Sequence, residues 1–229
     1  MNEREQIVRE IREQMTQETI VRFQKEKEQK LDSYRQQNRF IRMGETLFTG
    51  SSLMEQFPVT EFCLNEGLPI AYNRGIGGYT TDEFLAGIDV MLLEPRPKKL
   101  FINIGTNDIR EMPEGEDWFT HLRGNYRKIC EIIRDQLPET TVYMMAYYPV
   151  NEEILKKNSS FPPVRTNEAV RKANQMVTAL ADEFGFHFID INDGLKDANG
   201  ELQAEHTRDG IHFDAAAYRT VFDRLKKYL

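Results

Sequence analysis

From residue 46 onward, short apolar runs alternate with longer amphipathic stretches, and this alternation strongly restricts the possible folds. The apolar runs are TLFTG from Thr46, PIAYN from Pro69, KLFINIG from Lys99, TVYMMAYY from Thr141 and FHFIDI from Phe186. The intervening stretches, at about 53–66, 80–93, 116–136, 165–184 and 214–229, have the spacing of amphipathic helices. Strand–helix–strand repeats use crossover connections, which make neighbouring strands parallel and cover both faces of the sheet. We therefore predict an α/β domain, a three-layer α/β/α sandwich with a five-stranded, mainly parallel sheet.

Residues 1–40 differ from the rest of the chain because they contain neither glycine nor proline and are rich in charged residues and glutamine. Their apolar residues form a ragged stripe at helical spacing: Ile7, Val8, Ile11, Met15, Ile20, Phe23, Leu31 and Tyr34. We predict an N-terminal helical extension over 1–40, as one helix or a pair, ahead of a main domain at 41–229. The stripe must be buried on that domain or against a second copy of the chain, which would form a homodimer through this segment.

Composition excludes several classes of protein. The formal net charge of −7 disfavours nucleic-acid binding, which requires a concentrated basic surface. The first twenty residues are charged throughout and lack the apolar core of an export signal, and no run approaches the length of a membrane span. We expect a cytoplasmic protein with no stable membrane insertion, in which Cys63 and Cys130 are buried, reduced thiols.

Glycine and polar residues follow each of the first three predicted strands directly. The segments are Gly50-Ser51-Ser52, Asn73-Arg74-Gly75-Ile76-Gly77-Gly78-Tyr79-Thr80 and Gly105-Thr106-Asn107-Asp108. In parallel sheets ligands bind beyond the carboxyl ends of the strands, so these segments are candidate site residues. A serine hydroxyl can serve there as a nucleophile, and glycine N–H groups or an asparagine carboxamide can stabilise an oxyanion.

Each segment also has a plainer interpretation. A serine in this position commonly caps a helix, and an asparagine at a strand end commonly forms a turn. The glycine run is close to a dinucleotide-binding fingerprint, but Thr80 stands where GxGxxG requires its third glycine, and the run follows the second strand rather than the first. We therefore disfavour nucleotide binding and expect no cofactor.

Near the C-terminus, Asp209 precedes His212 by three residues. At that spacing the carboxylate can fold back and accept the Nδ1 proton of the imidazole, which leaves Nε2 free to act as a base. Together with His206, the two residues could instead be metal ligands, but they lack the HExxH or cysteine context of common sites, and we expect no metal. A hydroxyl, N–H donors and an Asp-His pair at one sheet edge are the parts that acyl transfer requires.

These four segments resemble the conserved blocks of the SGNH hydrolases, which include GDSL esterases and rhamnogalacturonan acetylesterases. The resemblance covers roughly residues 35–229 and is strongest to the intracellular platelet-activating-factor acetylhydrolase catalytic subunits, in the segments Asn38-Arg39-Phe40, Asn73-Arg74-Gly75-Ile76-Gly77-Gly78 and Gly105-Thr106-Asn107. It implies a flavodoxin-like fold and a hydrolase domain at 41–229. It also implies site roles: Ser52 as nucleophile, His212 and Asp209 as the other catalytic residues, and an oxyanion hole from Ser52, Gly78 and Asn107.

Two positions depart from the family pattern. Ser51 replaces the aspartate of the GDS sequence, where it can cap the helix in its place, and Tyr79 follows the double glycine, where aspartate is frequent. The lipase elbow GxSxG is absent because Met54 occupies its last position. The resemblance implies an esterase that removes a short acyl group, such as acetyl, from a small lipid or carbohydrate ester. A lysophospholipase or long-chain acylhydrolase, or a non-catalytic interaction module, are the alternatives. The connection at 149–165 is a candidate flap.

Overall fold

A single parallel sheet organises the chain. The computed structural model describes residues 3–157 and 161–229, with side chains described at residue 6 and from residue 15 onward. The strands are β1 (Thr46–Gly50), β2 (Ala71–Asn73), β3 (Lys99–Asn103), β4 (Thr141–Met145) and β5 (His187–Ile189). Their order across the sheet is β2-β1-β3-β4-β5, and all four pairings are parallel. The predicted five-stranded α/β fold is confirmed, and the order is that of flavodoxin-like domains.

Eight α-helices connect and flank the strands in the described part of the chain. They are α1 (Glu3–Gln37), α2 (Ser52–Glu55), α3 (Val59–Asn65), α4 (Thr81–Ala86), α5 (Trp118–Gln136), α6 (Glu152–Lys157), α7 (Asn167–Phe184) and α8 (Ala215–Leu225). The single helix predicted over 53–66 is wrong. The helix breaks ahead of Pro58, because a proline disfavours helical geometry in the residue before it. The connection at 149–165 carries the short helix α6.

The alternation of side chains along the strands builds two apolar layers. On one face Leu47, Leu100 and Val142 lie in register and pack against the layer that contains α5 and α7. On the other face Phe48 and Phe101 stack with their ring centroids 4.6 Å apart and pack against the layer that contains α8. Burial on both faces explains why these strands are continuous apolar runs in the sequence.

The N-terminal helix is one continuous helix, and its last turns pack on the domain. Lys27 and Tyr34 are buried, and the Tyr34 hydroxyl donates a hydrogen bond of 2.7 Å to the carbonyl oxygen of Gly75. Met15 and Ile20 are exposed. The predicted residues Ile7, Val8 and Ile11 lie outside the described side chains. The homodimer, the cytoplasmic location and the domain boundary at residue 40 stay predictions. In the described chain, no helix combines the length and apolar character needed to cross a membrane.

Candidate active site

The turn after β1 positions Ser52 at the carboxyl edge of the sheet. Gly50 has a φ of +152°, and a Cβ atom at this position would lie 1.9 Å from the carbonyl oxygen of Asn103 on the neighbouring strand. Only glycine can therefore pass so close to β3. Ser51 occupies the N-cap position of α2, but its side chain makes no capping hydrogen bond, so the expected capping role of Ser51 is wrong. Ser52 is the first residue of the helix.

Ser52, His212 and Asp209 form one hydrogen-bonded chain. The Oγ atom of Ser52 lies 2.8 Å from Nε2 of His212, and Nδ1 of His212 lies 2.6 Å from Oδ2 of Asp209. The other carboxylate oxygen of Asp209 accepts the backbone N–H groups of Ile211 and His212, at 2.9 and 2.8 Å. The structure thus brings together the hydroxyl, the imidazole and the carboxylate, although Ser52 and His212 are 160 residues apart in the sequence.

Burial and hydrogen bonding act on the Asp209 carboxyl in opposite directions. Partial burial raises its pKa, whereas the hydrogen bond from His212 and the backbone N–H groups of Ile211 and His212 lower it. The hydrogen bonds prevail, and the pKa of Asp209 lies below its ordinary value. At neutral pH the group is therefore an anion, and it accepts a hydrogen bond from the protonated Nδ1 of His212. This tautomer leaves the lone pair of Nε2 directed at the Ser52 hydroxyl.

Three N–H donors line the same cleft as Ser52. The backbone N–H groups of Ser52 and Gly78 have no acceptor among the described residues. The carboxamide of Asn107, in the turn after β3, donates one hydrogen to the carbonyl oxygen of Tyr79 at 3.0 Å and retains a second. Gly78 has a φ of +71°, and the ring of Phe23 would lie 2.6 Å from a Cβ atom there. The predicted residues of all four segments thus meet at one cleft.

Comparison with known proteins establishes the family. Residues 48–220 match the GDSL-like Lipase/Acylhydrolase family. This chain belongs to that family. Its members, also called SGNH hydrolases, are carboxylic ester hydrolases, and this chain is one of them.

Individual relatives carry names of acetylhydrolases and esterases. Platelet-activating factor acetylhydrolase IB subunit alpha1 from Bos taurus is 26% identical over 81% of this chain and 75% of its own length. A solved structure from Streptococcus pneumoniae, named as a platelet activating factor, is 29% identical, with a TM-score of 0.82 over 94% of this chain and 98% of that one. The acetyl xylan esterase AlAXEase shares the fold, with a TM-score of 0.65 at 16% identity over 81% of this chain and 99% of that one.

A buried aspartate braces the donor turn of this GDSL-like hydrolase. The carboxylate of Asp108 accepts hydrogen bonds from the backbone N–H of Thr81, at 3.0 and 3.2 Å, and from its hydroxyl, at 2.5 Å. Burial raises the pKa of Asp108, an effect that these hydrogen bonds oppose. They tie the turn that carries Asn107 to the start of α4. Gly78 lies three residues before Thr81 in the same segment.

Two sets of residues bear on metal binding. In the described part of the chain, Asp82, Asp108 and His121 bring one potential ligand atom each within 4.8 Å of one another. These atoms already have partners, because Asp108 accepts from Thr81 and Asp82 lies 2.8 Å from Nε2 of His121. Among the described residues, the set His206, Asp209 and His212, considered from the sequence, does not bring one ligand atom from each residue within that distance. Asp209 and His212 bond to each other, and Nδ1 of His206 lies 3.7 Å from Asp214 instead.

The cleft has a volume of about 770 Å³ and is lined partly by residues that the sequence motifs do not include. Phe23 and Lys27 of α1 form one wall, and Phe161, Pro162 and Arg165 of the 149–165 connection form another. The ring of Phe161 lies 6.1 Å from that of His212. Phe23 belonged to the apolar stripe predicted for the N-terminal helix, and Arg165 ends the connection proposed as a flap over the site. No signal in the sequence singled out these two residues or Lys27 as part of the cleft.

Proposed function

We propose that this chain is a serine esterase that removes a short acyl group, such as acetyl, from a small lipid or carbohydrate ester through an acyl-enzyme. The proposal depends on one observation, the continuous hydrogen-bonded chain from Ser52 through His212 to Asp209, at 2.8 and 2.6 Å. These distances permit proton transfer from a hydroxyl to an imidazole without rearrangement.

In the proposed mechanism, Nε2 of His212 accepts the Ser52 proton while Oγ attacks the ester carbonyl carbon. Asp209 remains an anion and stabilises the imidazolium that forms. The carbonyl oxygen becomes the oxyanion of a tetrahedral intermediate, which the N–H groups of Ser52, Gly78 and Asn107 stabilise. Collapse of the intermediate breaks the ester C–O bond, and the imidazolium protonates the departing alkoxide.

Deacylation repeats these steps with water as the nucleophile. His212 accepts a proton from the water molecule, whose oxygen adds to the acyl carbon of the Ser52 ester. The second tetrahedral intermediate breaks the bond to Oγ, and His212 returns the proton to Ser52. The free carboxylic acid leaves, and the enzyme regains its starting protonation state.

The preference for short acyl groups is supported by the names of similar proteins, among them an acetylhydrolase subunit and an acetyl xylan esterase. A series of p-nitrophenyl esters from acetate to decanoate tests it. We expect kcat/KM to fall steeply beyond a few acyl carbons. A rise toward long chains would instead indicate a lysophospholipase or long-chain acylhydrolase.

The catalytic assignment is tested by a pair of adjacent serine variants. Ser52→Ala removes the proposed nucleophile and should abolish hydrolysis of p-nitrophenyl acetate. Ser51→Ala is the matched control, since the Ser51 hydroxyl is buried and makes no cap bond, and it should remain active. Circular dichroism and thermal unfolding establish that both variants fold. Wild-type activity in folded Ser52→Ala would refute the assignment, and an inactive wild type would indicate a non-catalytic interaction module.

A further inference from the structure

A buried guanidinium beside the oxyanion donors has no ion-pair partner among the described residues. Arg165 exposes only 7% of its surface, and it lines the cleft that contains Ser52 and His212. Its Nε atom is buried without a hydrogen-bond acceptor among the described residues. No described carboxylate forms an ion pair with it within 4.0 Å, and residues 158–160 of the same connection are Asn-Ser-Ser, which carry no acid. Burying an unpaired charge is costly, so its retention requires an explanation.

The other ionic side chains that line the cleft and are at least partly buried already have partners. Lys27 pairs with Glu83 at 2.7 Å. Glu55 pairs with Lys30 at 3.1 Å, and its other oxygen accepts the backbone N–H of Gly77 at 2.6 Å. Burial lowers the pKa of Arg165 to about 10, a value at which the group is still a cation at neutral pH. The charge of Asp108 opposes this shift, but no hydrogen bond or ion pair within 4.0 Å joins its carboxylate to Arg165. The cleft therefore contains one enclosed guanidinium that no described carboxylate contacts directly.

The position of this charge relative to the proposed reaction centre is defined by Asn107. The Nη2 atom of Arg165 donates a hydrogen bond of 3.2 Å to Oδ1 of Asn107, whose nitrogen is a proposed oxyanion donor. The ring of Phe161 lies 5.8 Å from Cζ of Arg165 on the same wall, so the guanidinium is held from two sides. An anionic group a few bonds from the scissile carbonyl would meet Arg165 when the carbonyl oxygen faces Asn107.

We propose that Arg165 is a specificity-determining residue that binds an anionic group, a carboxylate or a phosphate, on the ester substrate. This inference rests on the proposed esterase function and narrows its substrate class to acidic esters. A guanidinium offers two parallel N–H donors that match either anion, and exclusion of water strengthens the contact. The hydrogen bond to Asn107 would couple binding of the anion to the orientation of the carboxamide.

The test compares anionic and neutral esters with the same acetyl group. The substrates are 3- and 4-acetoxybenzoate and their methyl esters, which differ in one negative charge. We expect the wild-type enzyme to prefer at least one acid over its methyl ester in kcat/KM, on the order of tenfold to a hundredfold, as charged hydrogen bonds allow. Arg165→Gln should remove this preference mainly by raising KM for the acid, and Arg165→Lys should keep part of it.

Arg110→Gln is the matched control, because Arg110 lines the same cleft but is exposed. It should retain the preference for the acid. The inference is overturned if the wild-type enzyme hydrolyses both members of each pair equally. It is also overturned if Arg165→Gln lowers the rates for acid and methyl ester by the same factor, because a residue that only positions Asn107 would have that effect. A third refuting result is loss of the preference in Arg110→Gln to the same extent as in Arg165→Gln. Absence of activity on all four esters in an enzyme that also fails with p-nitrophenyl acetate would refute the proposed esterase function instead.

Discussion

Replacing Asn107 by aspartate separates its proposed catalytic role from its structural one. The change preserves the shape of the side chain but removes both N–H donors, so the oxyanion loses a hydrogen bond and faces a carboxylate. Loss of one oxyanion donor costs about 3–4 kcal/mol of barrier, on the order of a hundred- to a thousandfold in kcat. We expect Asn107→Asp to lose at least this much, because repulsion between two negative charges adds to the lost bond.

A second variant, Asn107→Ala, separates stability from activity. We expect Asn107→Asp to be the less active of the two variants but the more stable to unfolding. Asn107→Ala loses both the 3.0 Å bond to Tyr79 and the 3.2 Å bond from Arg165, at about 0.5–1.5 kcal/mol each. Asn107→Asp retains the acceptor for Arg165 and makes that bond charge-assisted, so it should unfold at a higher urea concentration than Asn107→Ala. Hydrolysis of p-nitrophenyl acetate and urea unfolding measure the two quantities. If Asn107→Asp retains more than about a tenth of wild-type kcat, a loss well below the hundredfold expected for one donor, the reasoning is wrong.

Three further predictions concern the groups that surround the cleft and the core. Asp209→Asn should lower kcat by on the order of 10³–10⁴, because His212 loses the anion that fixes its tautomer. Hydrogen bonds to the Asp209 carboxylate outweigh its burial and lower its pKa. The contribution of this group to stability is therefore complete at neutral pH and is lost as the pH falls through the folded-state pKa. The difference in unfolding free energy between wild type and Asp209→Asn should accordingly shrink in acid. Tyr34→Phe removes the 2.7 Å bond to Gly75 and should cost about 1–2 kcal/mol in urea unfolding, whereas an unchanged midpoint would show that α1 is not anchored there. Burial raises the pKa of the Cys130 thiol to about 12, so a disulfide reagent at pH 8 should modify it only after denaturation, and rapid labelling of the native protein would contradict its burial.

The sequence predicts the sheet well because its strands are buried on both faces. Continuous apolar runs separated by amphipathic stretches leave few alternatives to a parallel α/β sandwich. Pro58 is the sequence signal for the break between α2 and α3. The amphipathic pattern continues across this proline, however, and therefore favoured a single helix over 53–66. The apolar stripe of α1 predicted a helix and its apolar face. It did not predict which turns pack on the domain, because periodicity does not show how far along the helix a neighbouring surface extends.

Some residues of the candidate site could be predicted from the sequence, and others could not. Ser52 and Asn107 lie in the turns after β1 and β3, so knowing the sheet brings them to one edge. His212 lies in the long connection between β5 and α8, and its spacing from Asp209 was the signal that identified it. Phe23 and Arg165 reach the cleft through the packing of a terminal helix and of a long connection, which no local pattern specifies. The missing cap at Ser51 has a related cause. A residue type gives the capacity for a hydrogen bond, whereas the rotamer depends on the packing of the turn against β3.

The most direct test of the central claim is covalent labelling of the native protein with a fluorophosphonate, followed by peptide mass spectrometry. A serine that lies 2.8 Å from a histidine base should react as an activated nucleophile. We predict a single adduct on Ser52, slowed by Asp209→Asn and absent in Ser52→Ala. An unlabelled wild-type protein, or an adduct on another residue that persists in Ser52→Ala, would contradict the assignment of Ser52 as the nucleophile.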